Sequence, residues 1–495
     1  MSVVIAVDAG TTGVRSFALR DDGELAGYAH REFPQHFPRP GWVEHDPDDI
    51  WQATVATLAD LAGRLDGQPV AALGITNQRE TTVVWDRRTG RPRHRALVWQ
   101  DRRTAGRCEE LTAAGHLDRV RQVTGLVIDP YFSATKLEWL LTEGGVEPSP
   151  DLAAGTVDSW LLWNLTGGTA GGVHATEPSN ASRTLLFDID ALAWDDGLAS
   201  LFGVPPGCLA EVRPSCGRFG TTGEGLPVRA GIPVSGILGD QQAALLGQAC
   251  LDPGLTKNTY GTGSFVLMNV GDRRPAPVDG LLTTVAWTME GRPGATYALE
   301  GSIFVTGAAV QWLRDGLGII GDSAEVGALA ASCDDTGGLV IVPAFTGLGS
   351  PYWDPYARGT VVGITRGTGR AHLARAVVES MAYQTRDVVD AMTAASGQPI
   401  AELRVDGGAA AMDLLLQLQA DQLGVPVARP TVGETTALGA AYVAGLAEGV
   451  WSSPSDVAAL WHLDRRAMPA PGERVEKGYA TWRRAVERAQ GWAAT

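Results

Sequence analysis

Three glycine-rich turns in this 495-residue chain could each hold an anion: residues 8–13 (DAGTTG), 260–264 (YGTGS) and 406–408 (DGG). Glycine allows positive φ and close approach, so successive backbone N–H groups can point at one phosphate. Thr11, Thr12 and Thr262 would add hydroxyl donors, and Arg15 offers a guanidinium beside the first turn. Asp8 stands where a carboxylate could hold Mg2+, an ion that takes a few protein oxygens and keeps waters. Any one of these turns can also be a plain tight turn. Three of them after strand-like runs, two with threonine, point to phosphate binding. Nucleotide-binding loops of other kinds do not occur. The only lysines are Lys136, Lys257 and Lys477, none preceded by glycine, so no Walker A loop exists; neither H-R-D nor D-F-G occurs.

A second set of residues suits hydroxyl groups. In residues 77–80 (NQRE), Arg79 supplies fixed donors and Glu80 supplies acceptors, a pair able to engage two vicinal hydroxyls. The same pair could instead be an exposed ion pair of little energetic weight. Asp240 reads either as the cap of a following helix or as a general base that takes the proton of an attacking hydroxyl; Gln241 could hold another hydroxyl. Trp99 and Phe265 could line the carbon side of a small polyol, or simply fill a core. His45, His94 and His372 fit no metal-ligand spacing.

The elements around these residues alternate between strand and helix. Residues 3–7 and 14–19 form a hairpin about the first turn. Asp46, Pro47 and Asp49 start a helix whose apolar stripe runs through Ile50, Trp51, Val55, Leu58, Leu61 and Leu65. Residues 71–75 are a short strand leading into 77–80, and 232–238 is a strand broken by Gly239 before the helix that Asp240 opens. Residues 255–260 and 264–270 repeat the opening hairpin half a chain later, which suggests duplicated halves meeting near residue 248. A long amphipathic helix covers 372–395, and a strand at 403–405 precedes the third turn. Gly- and Pro-rich stretches at 142–155 and 166–173 read as loops. The whole is an α/β chain with ligands expected beyond strand ends.

Composition narrows the partners. Lys plus Arg is 40 against 56 Asp plus Glu, a net charge of −16 that argues against nucleic acid. Five scattered cysteines without C-x-x-C suggest neither disulfides nor zinc. No apolar run reaches the roughly 20 residues of a bilayer span, and the N-terminus has no leader pattern; no membrane insertion and a cytoplasmic location are expected.

Longer stretches resemble the FGGY carbohydrate kinase family over essentially the whole chain, and within it the branch acting on glycerol. They are 74–82 (GITNQRETT), 40–47 (PGWVEHDP), 239–245 (GDQQAAL), 258–263 (NTYGTG) and 343–358 (PAFTGLGSPYWDPYAR), with family signatures at 131–143 (YFSATKLEWLLTE) and 359–379. The resemblance implies two actin-like (ribonuclease H-like) domains with a catalytic cleft between them. Residues 1–248 would be the glycerol-binding domain with the first phosphate turn, and 249–495 the nucleotide-binding domain. The implied reaction is ATP-dependent phosphorylation of glycerol to sn-glycerol 3-phosphate, the entry step of glycerol catabolism. By matching position, glycerol would meet Arg79, Glu80, Tyr131, Asp240 and Gln241, with Trp99 and Phe265 against its carbons. Asp240 matches the catalytic base and Asp8 the Mg2+ carboxylate. ATP would meet Thr11, Thr12, Gly13, Arg15, Thr262, Gly307, Gln311 and Gly408. Tyr131, Gly307 and Gln311 come from the resemblance alone.

Some positions depart from the family pattern. Ala9 replaces Gln and Gly13 replaces Ser in the first turn, and Met412 stands where Asn often contacts the adenine side. Residues 222–229 (TGEGLPVR) lack the Lys-Gly-Gly character of a fructose-1,6-bisphosphate loop and carry no histidine for phosphorylation. Relatives are commonly homodimers or homotetramers. The rival readings are a kinase of another small polyol or ketose in the same family, and a non-catalytic actin-like scaffold.

Overall fold

The first hairpin pairs Val3–Ala9 with Gly13–Arg20, and Leu25–Glu32 extends it antiparallel. On the other side of Val3–Ala9, Val70–Asn77 and then Pro233–Gly239 add in parallel, with Gly220–Thr221 at the edge. A computed structural model describes this arrangement for residues 2–470 and 472–493. The second sheet repeats the plan. Thr256–Tyr260 is flanked by antiparallel Ser264–Gly271 and Thr296–Ile303 on one side and by parallel Leu403–Gly407 and Val427–Pro430 on the other; Leu282–Trp287 and Leu463–Ala467 close its edges. The five central strands follow one order in both sheets, and the second sheet carries one strand more, in keeping with the duplicated halves expected from the sequence.

Every residue of Val3–Ala9 is buried because helices cover both faces of the first sheet. The helix Pro47–Arg64 is capped by Asp46, whose carboxylate accepts from Asp48 N at 3.0 Å. It lays Ile50, Leu58 and Leu61 on Val3, Ile5 and Val7. On the opposite face, Val4 and Ala6 share one apolar cluster with the helices Asp240–Gly247 and Thr435–Ala447. The second of these belongs to the C-terminal half by sequence, yet packs on the first sheet. Gly74 permits this approach, since a Cβ there would overlap the Ala440 carbonyl. Arg370–Ser396 forms the long helix expected from its apolar spacing, burying Val377, Val378, Met381, Val388, Val389 and Met392.

Between Val70–Asn77 and Pro233–Gly239 the chain builds several helices and three strands of a small four-stranded sheet, whose fourth strand is the earlier Glu44–His45. Here the loop expected over 142–155 is corrected: Leu152–Thr156 is a strand, antiparallel to Thr82–Asp86. Its sequence, LAAGT, has little strand propensity, and pairing and burial of Leu152, Ala153 and Ala154 decide its state. In 166–173 the only regular structure is a 3₁₀ turn at Gly168–Ala170. Among the described residues no helix is long and apolar enough to cross a membrane.

Candidate active site

Three parallel strands of the first sheet end side by side. Ala9 is the register partner of Asn77, and Asn77 is that of Gly239. Asp8, the turn that carries Arg79 and Glu80, and Asp240 therefore leave one sheet edge together. Arg79 and Glu80 are only 2% and 1% exposed, which removes the surface ion-pair reading. Glu80 also takes φ +60, a left-handed conformation that costs a non-glycine residue about 1 kcal/mol or more. It is held there by Ser133, whose hydroxyl donates to the Glu80 carbonyl at 3.0 Å, and by Arg183, whose Nε donates to Oε1 at 2.7 Å.

The Arg79 guanidinium is the centre of the constellation. Its Nη1 donates to Glu300 Oε2 at 2.5 Å and to Gln242 Oε1 at 3.2 Å; its Nη2 donates to Glu300 Oε1 at 3.1 Å and to the Tyr131 hydroxyl at 3.3 Å. Nε lies 3.1 Å from Asp240 Oδ1 but has no aligned hydrogen bond, so a buried donor is left over. Glycine at 239 makes room for this side chain, because a Cβ there would stand 2.7 Å from Arg79 Cγ.

Asp240 is the first residue of its helix, not the cap. Gly239 occupies the cap position and makes no side-chain bond; Asp240 Oδ1 accepts from Gln241 N at 2.7 Å. The carboxylate remains 30% exposed. Burial raises its pKa, opposed by the charges of Arg79 and Lys257. Gln241 is engaged by the buried Lys257, whose Nζ donates to Gln241 Oε1 and to Thr259 Oγ1. Burial lowers the Lys257 pKa to about 8 against the opposing pull of Asp406 and Asp240. Aromatic rings stand over the pair. Tyr131 and Trp99 meet edge to face at 5.6 Å, Trp99 and Phe265 at 6.4 Å, and the Arg79 guanidinium lies 5.9 Å from the Phe265 ring. Tyr131 is fixed by Lys136, buried with its ammonium donating to the carbonyls of Pro130, Tyr131 and Phe132.

The glycine turns flank this group. Gly10 N donates to Gly13 O at 3.0 Å, closing the turn that presents Thr11 and Thr12, and Trp99 Nε1 donates to Thr11 Oγ1 at 3.0 Å. Gly13 itself is packed against the neighbouring strand, where a Cβ would lie 2.7 Å from Arg31 O. Arg15 pairs with Glu434 at 2.8 Å and stands 3.9 Å from Asp8. Burial pushes the Asp8 carboxyl up to about 7; Arg15 opposes this, while Asp240 and Glu434 add to it. On the second sheet, Gly261 N donates to Gly263 O at 2.8 Å in the matching turn, and Gly307 N to Gly261 O at 3.0 Å. Thr262 is exposed at its tip. Gly307 cannot carry a side chain here, since a Cβ would stand 2.6 Å from Gly261 O. It opens the short helix Gly307–Gln311, and Gln311 is exposed. Gly408 follows Gly407, the register partner of Tyr260, so the third turn lies beside the second. Met412 packs at Gly327, where a Cβ would be 3.2 Å from Met412 Cγ.

The structure thus brings Arg79, Glu80, Tyr131, Trp99, Phe265 and Asp240 into direct contact, with Gln241 joined through Asp240 and Lys257. Asp8 and Arg15 adjoin them. Thr262, Gly307, Gln311 and Gly408 form a separate group on the second sheet. Sequence reasoning did not find Glu300, Arg183, Gln242 or Glu434. Glu300 carried one signal: it is the one charged residue in its strand.

Two sheets of ribonuclease H-like order, with glycine turns at their strand ends beside an acid that can act as a base, define a two-lobed kinase of the actin-like type. Comparison with known proteins narrows the class. Residues 3–247 match the N-terminal domain, and residues 256–448 the C-terminal domain, of the FGGY family of carbohydrate kinases, and the chain belongs to that family. It is 55% identical to a glycerol kinase of Symbiobacterium thermophilum over 99% of both chains, and 53% identical to glycerol kinase 2 of Thermotoga maritima over 99% of both. Among solved structures, Plasmodium falciparum glycerol kinase with ADP superposes with a TM-score of 0.93 at 34% identity, covering 99% of this chain and 98% of the other. A xylulose kinase of Lactobacillus acidophilus shares the fold at TM-score 0.87 and 19% identity, covering 99% and 97%.

Proposed function

We propose that the chain phosphorylates glycerol, transferring the γ-phosphoryl group of ATP to a terminal hydroxyl to give sn-glycerol 3-phosphate. The observation that carries this reading is the buried Arg79–Glu80 pair beside the partly open Asp240 carboxylate, roofed by Tyr131, Trp99 and Phe265. Such a pocket has donors and acceptors for vicinal hydroxyls on one side and apolar surface for a carbon chain on the other. The unsatisfied Arg79 Nε is a donor free for one hydroxyl. The glycerol kinases at 53–55% identity over the full length support the same acceptor.

Asp240 takes the proton of the attacking hydroxyl at its carboxylate oxygen. A raised pKa suits that role, because it brings the base nearer to the proton it must accept. Arg79, held by Glu300 through both Nη atoms, orients the acceptor, and the aromatic walls keep water from the reacting oxygen. The backbone amides of the turns at 10–13 and 261–263, with Thr11, Thr12 and Thr262, cradle the phosphates, assisted by Arg15. Gly307, Gln311 and Gly408 form the nucleotide's remaining surface. Residues 1–248 and 249–495 are the two lobes.

The residues also fit Mg2+. Asp8 is an acid whose carboxyl burial pushes up to about 7 in spite of Arg15, so a bound cation would favour its charged form, and it offers the hard oxygen this ion prefers. Asp8 would hold the ion, which when bound neutralises charge on the transferring phosphate.

The test is a coupled ADP-release assay with MgATP and glycerol, xylulose, ribulose, gluconate and erythritol, the product identified by mass. Glycerol-dependent turnover to glycerol 3-phosphate, with at most slow use of the others, is the expected result. Turnover of a sugar with none of glycerol overturns the assignment of acceptor.

A further inference from the structure

Glu300 lies in the strand Thr296–Ile303 of the second sheet and is 0% exposed, with buried apolar neighbours in Ala298 and Leu299. Both of its oxygens nonetheless serve the first lobe. Oε2 accepts from Arg79 Nη1 at 2.5 Å, and Oε1 accepts from Arg79 Nη2 at 3.1 Å and from Arg183 Nη2 at 2.9 Å. Arg183 in turn donates through Nε to Glu80 Oε1 at 2.7 Å, and Glu80 Oε1 returns to within 3.8 Å of Arg79 Nε. Two guanidiniums and two carboxylates make a closed, charge-balanced ring, and only one of the four comes from the second lobe.

Burying an unpaired carboxylate costs several kcal/mol, so an acid here persists only with such partners. Burial would raise its pKa, but Arg183 and Arg79 overcome this and hold it at about 2. Its grip on Arg79 is two-pronged and therefore directional. With both Nη atoms engaged, the guanidinium presents its Nε edge to Asp240 at 3.1 Å, and that Nε is the donor without a hydrogen bond.

We propose that Glu300 is a positioning residue for the phosphoryl acceptor: from the second lobe it clamps Arg79 so that Nε faces the acceptor pocket beside Asp240, and it thereby sets polyol affinity. This rests on the reading of Arg79 as an acceptor ligand. Glycerol affinity is then a property of the assembled lobes. Phe265, from the same sheet and packed on the same guanidinium, works in the same sense.

The test uses Glu300→Asp in the full chain, which keeps the charge but withdraws the carboxylate by about 1.5 Å, one carbon–carbon bond. A second variant, Glu300→Gln with Arg183→Gln, removes one charge of each sign, so the ring stays balanced if the first fails to fold. The parent is assayed first, and absence of glycerol turnover there refutes the proposed function itself. With an active parent, the expected result in a folded variant is a rise of tenfold or more in glycerol KM, a smaller change in kcat, and an ATP KM within twofold. A purely structural ion pair would lower the denaturation midpoint and leave both KM values alone. Glycerol KM within twofold of the parent in a folded variant overturns the proposal.

Discussion

The substitution Asp240→Asn isolates proton transfer from binding. Asn is nearly isosteric, and its amide oxygen can keep the contact with Gln241 N that Asp240 Oδ1 makes at 2.7 Å. The same oxygen stays 3.1 Å from Arg79 Nε, which loses only the charge beside it and keeps both bonds to Glu300, so the acceptor pocket keeps its shape. Folding should not suffer either. The surroundings, burial above all, disfavour the charged carboxyl on balance, so removing the charge relieves a cost instead of breaking a stabilising pair. What remains is the loss of a positioned base, which is worth about 10²–10⁴ in rate, or roughly 3–5 kcal/mol of barrier. The assay is coupled ADP release over a matrix of glycerol and MgATP concentrations, with glycerol Kd measured separately by calorimetry. Expected are a kcat lowered by about 10²–10⁴, an equal loss in kcat/KM, and a glycerol Kd within about threefold of the parent. A kcat within tenfold of the parent would refute Asp240 as the base. A collapse in glycerol affinity with little change in kcat would make it a ligand only.

Three further substitutions test the packing behind the site. His45 is fully buried, with Nε2 at 2.6 Å from Gln35 Oε1 and Nδ1 at 3.3 Å from Gln78 Nε2, and burial lowers its pKa from 6.5 to about 4. The unfolded chain then binds this proton first, so stability is lost as pH falls from 6.5 toward 4, at up to about 1.4 kcal/mol per pH unit; in urea titrations at pH 7 and pH 5, His45→Gln should lose about 2 kcal/mol less than the parent, and equal losses count against it. At Gly439 a methyl would overlap the Ala243 carbonyl where the two interlobe helices cross, whereas Gly63, in Pro47–Arg64, has nothing within 4 Å of a built Cβ. Gly439→Ala should therefore cost about 1–3 kcal/mol by overpacking, while Gly63→Ala gains up to about 1 kcal/mol of helix propensity; equal urea midpoints for the two variants contradict this packing.

What the sequence made legible was local. The two hairpins carry their own β-branched runs and glycine turns, and the helix after Asp46 carries its cap and stripe within one segment. The strand break at Gly239 marked where Asp240 would emerge. The Arg79–Glu80 pair was readable as chemistry but ambiguous in setting, because burial is fixed by neighbours far along the chain. Arg183 and Glu300 are 103 to 221 residues from the groups they hold, and only the pairing of sheet edges brings them in. The strand Leu152–Thr156 failed for the same reason, since its state comes from its partner strand and not from its own residues. The helix Thr435–Ala447, buried on most sides, offers little amphipathic contrast to reveal which sheet it covers.

Where that helix lies bears on the division of labour between the halves. A split into an acceptor-binding half and a nucleotide-binding half follows the sequence duplication, but neither half is self-sufficient. Without Thr435–Ala447, the face of the first sheet formed by Val4, Ala6 and Leu238 would be laid bare, since that helix packs on it beside Asp240–Gly247. Without Glu300, Arg79 and Arg183 would be two buried cations facing one carboxylate, Glu80, with only the partly exposed Asp240 in addition. The lobes are thus tied together by apolar packing under the sheet and by charge beside the acceptor pocket. The two matching glycine turns stand on separate sheets, each closed by bonds within its own lobe. Beside the first of these turns Arg15 of one half pairs with Glu434 of the other at 2.8 Å, so the halves are tied on that side as well.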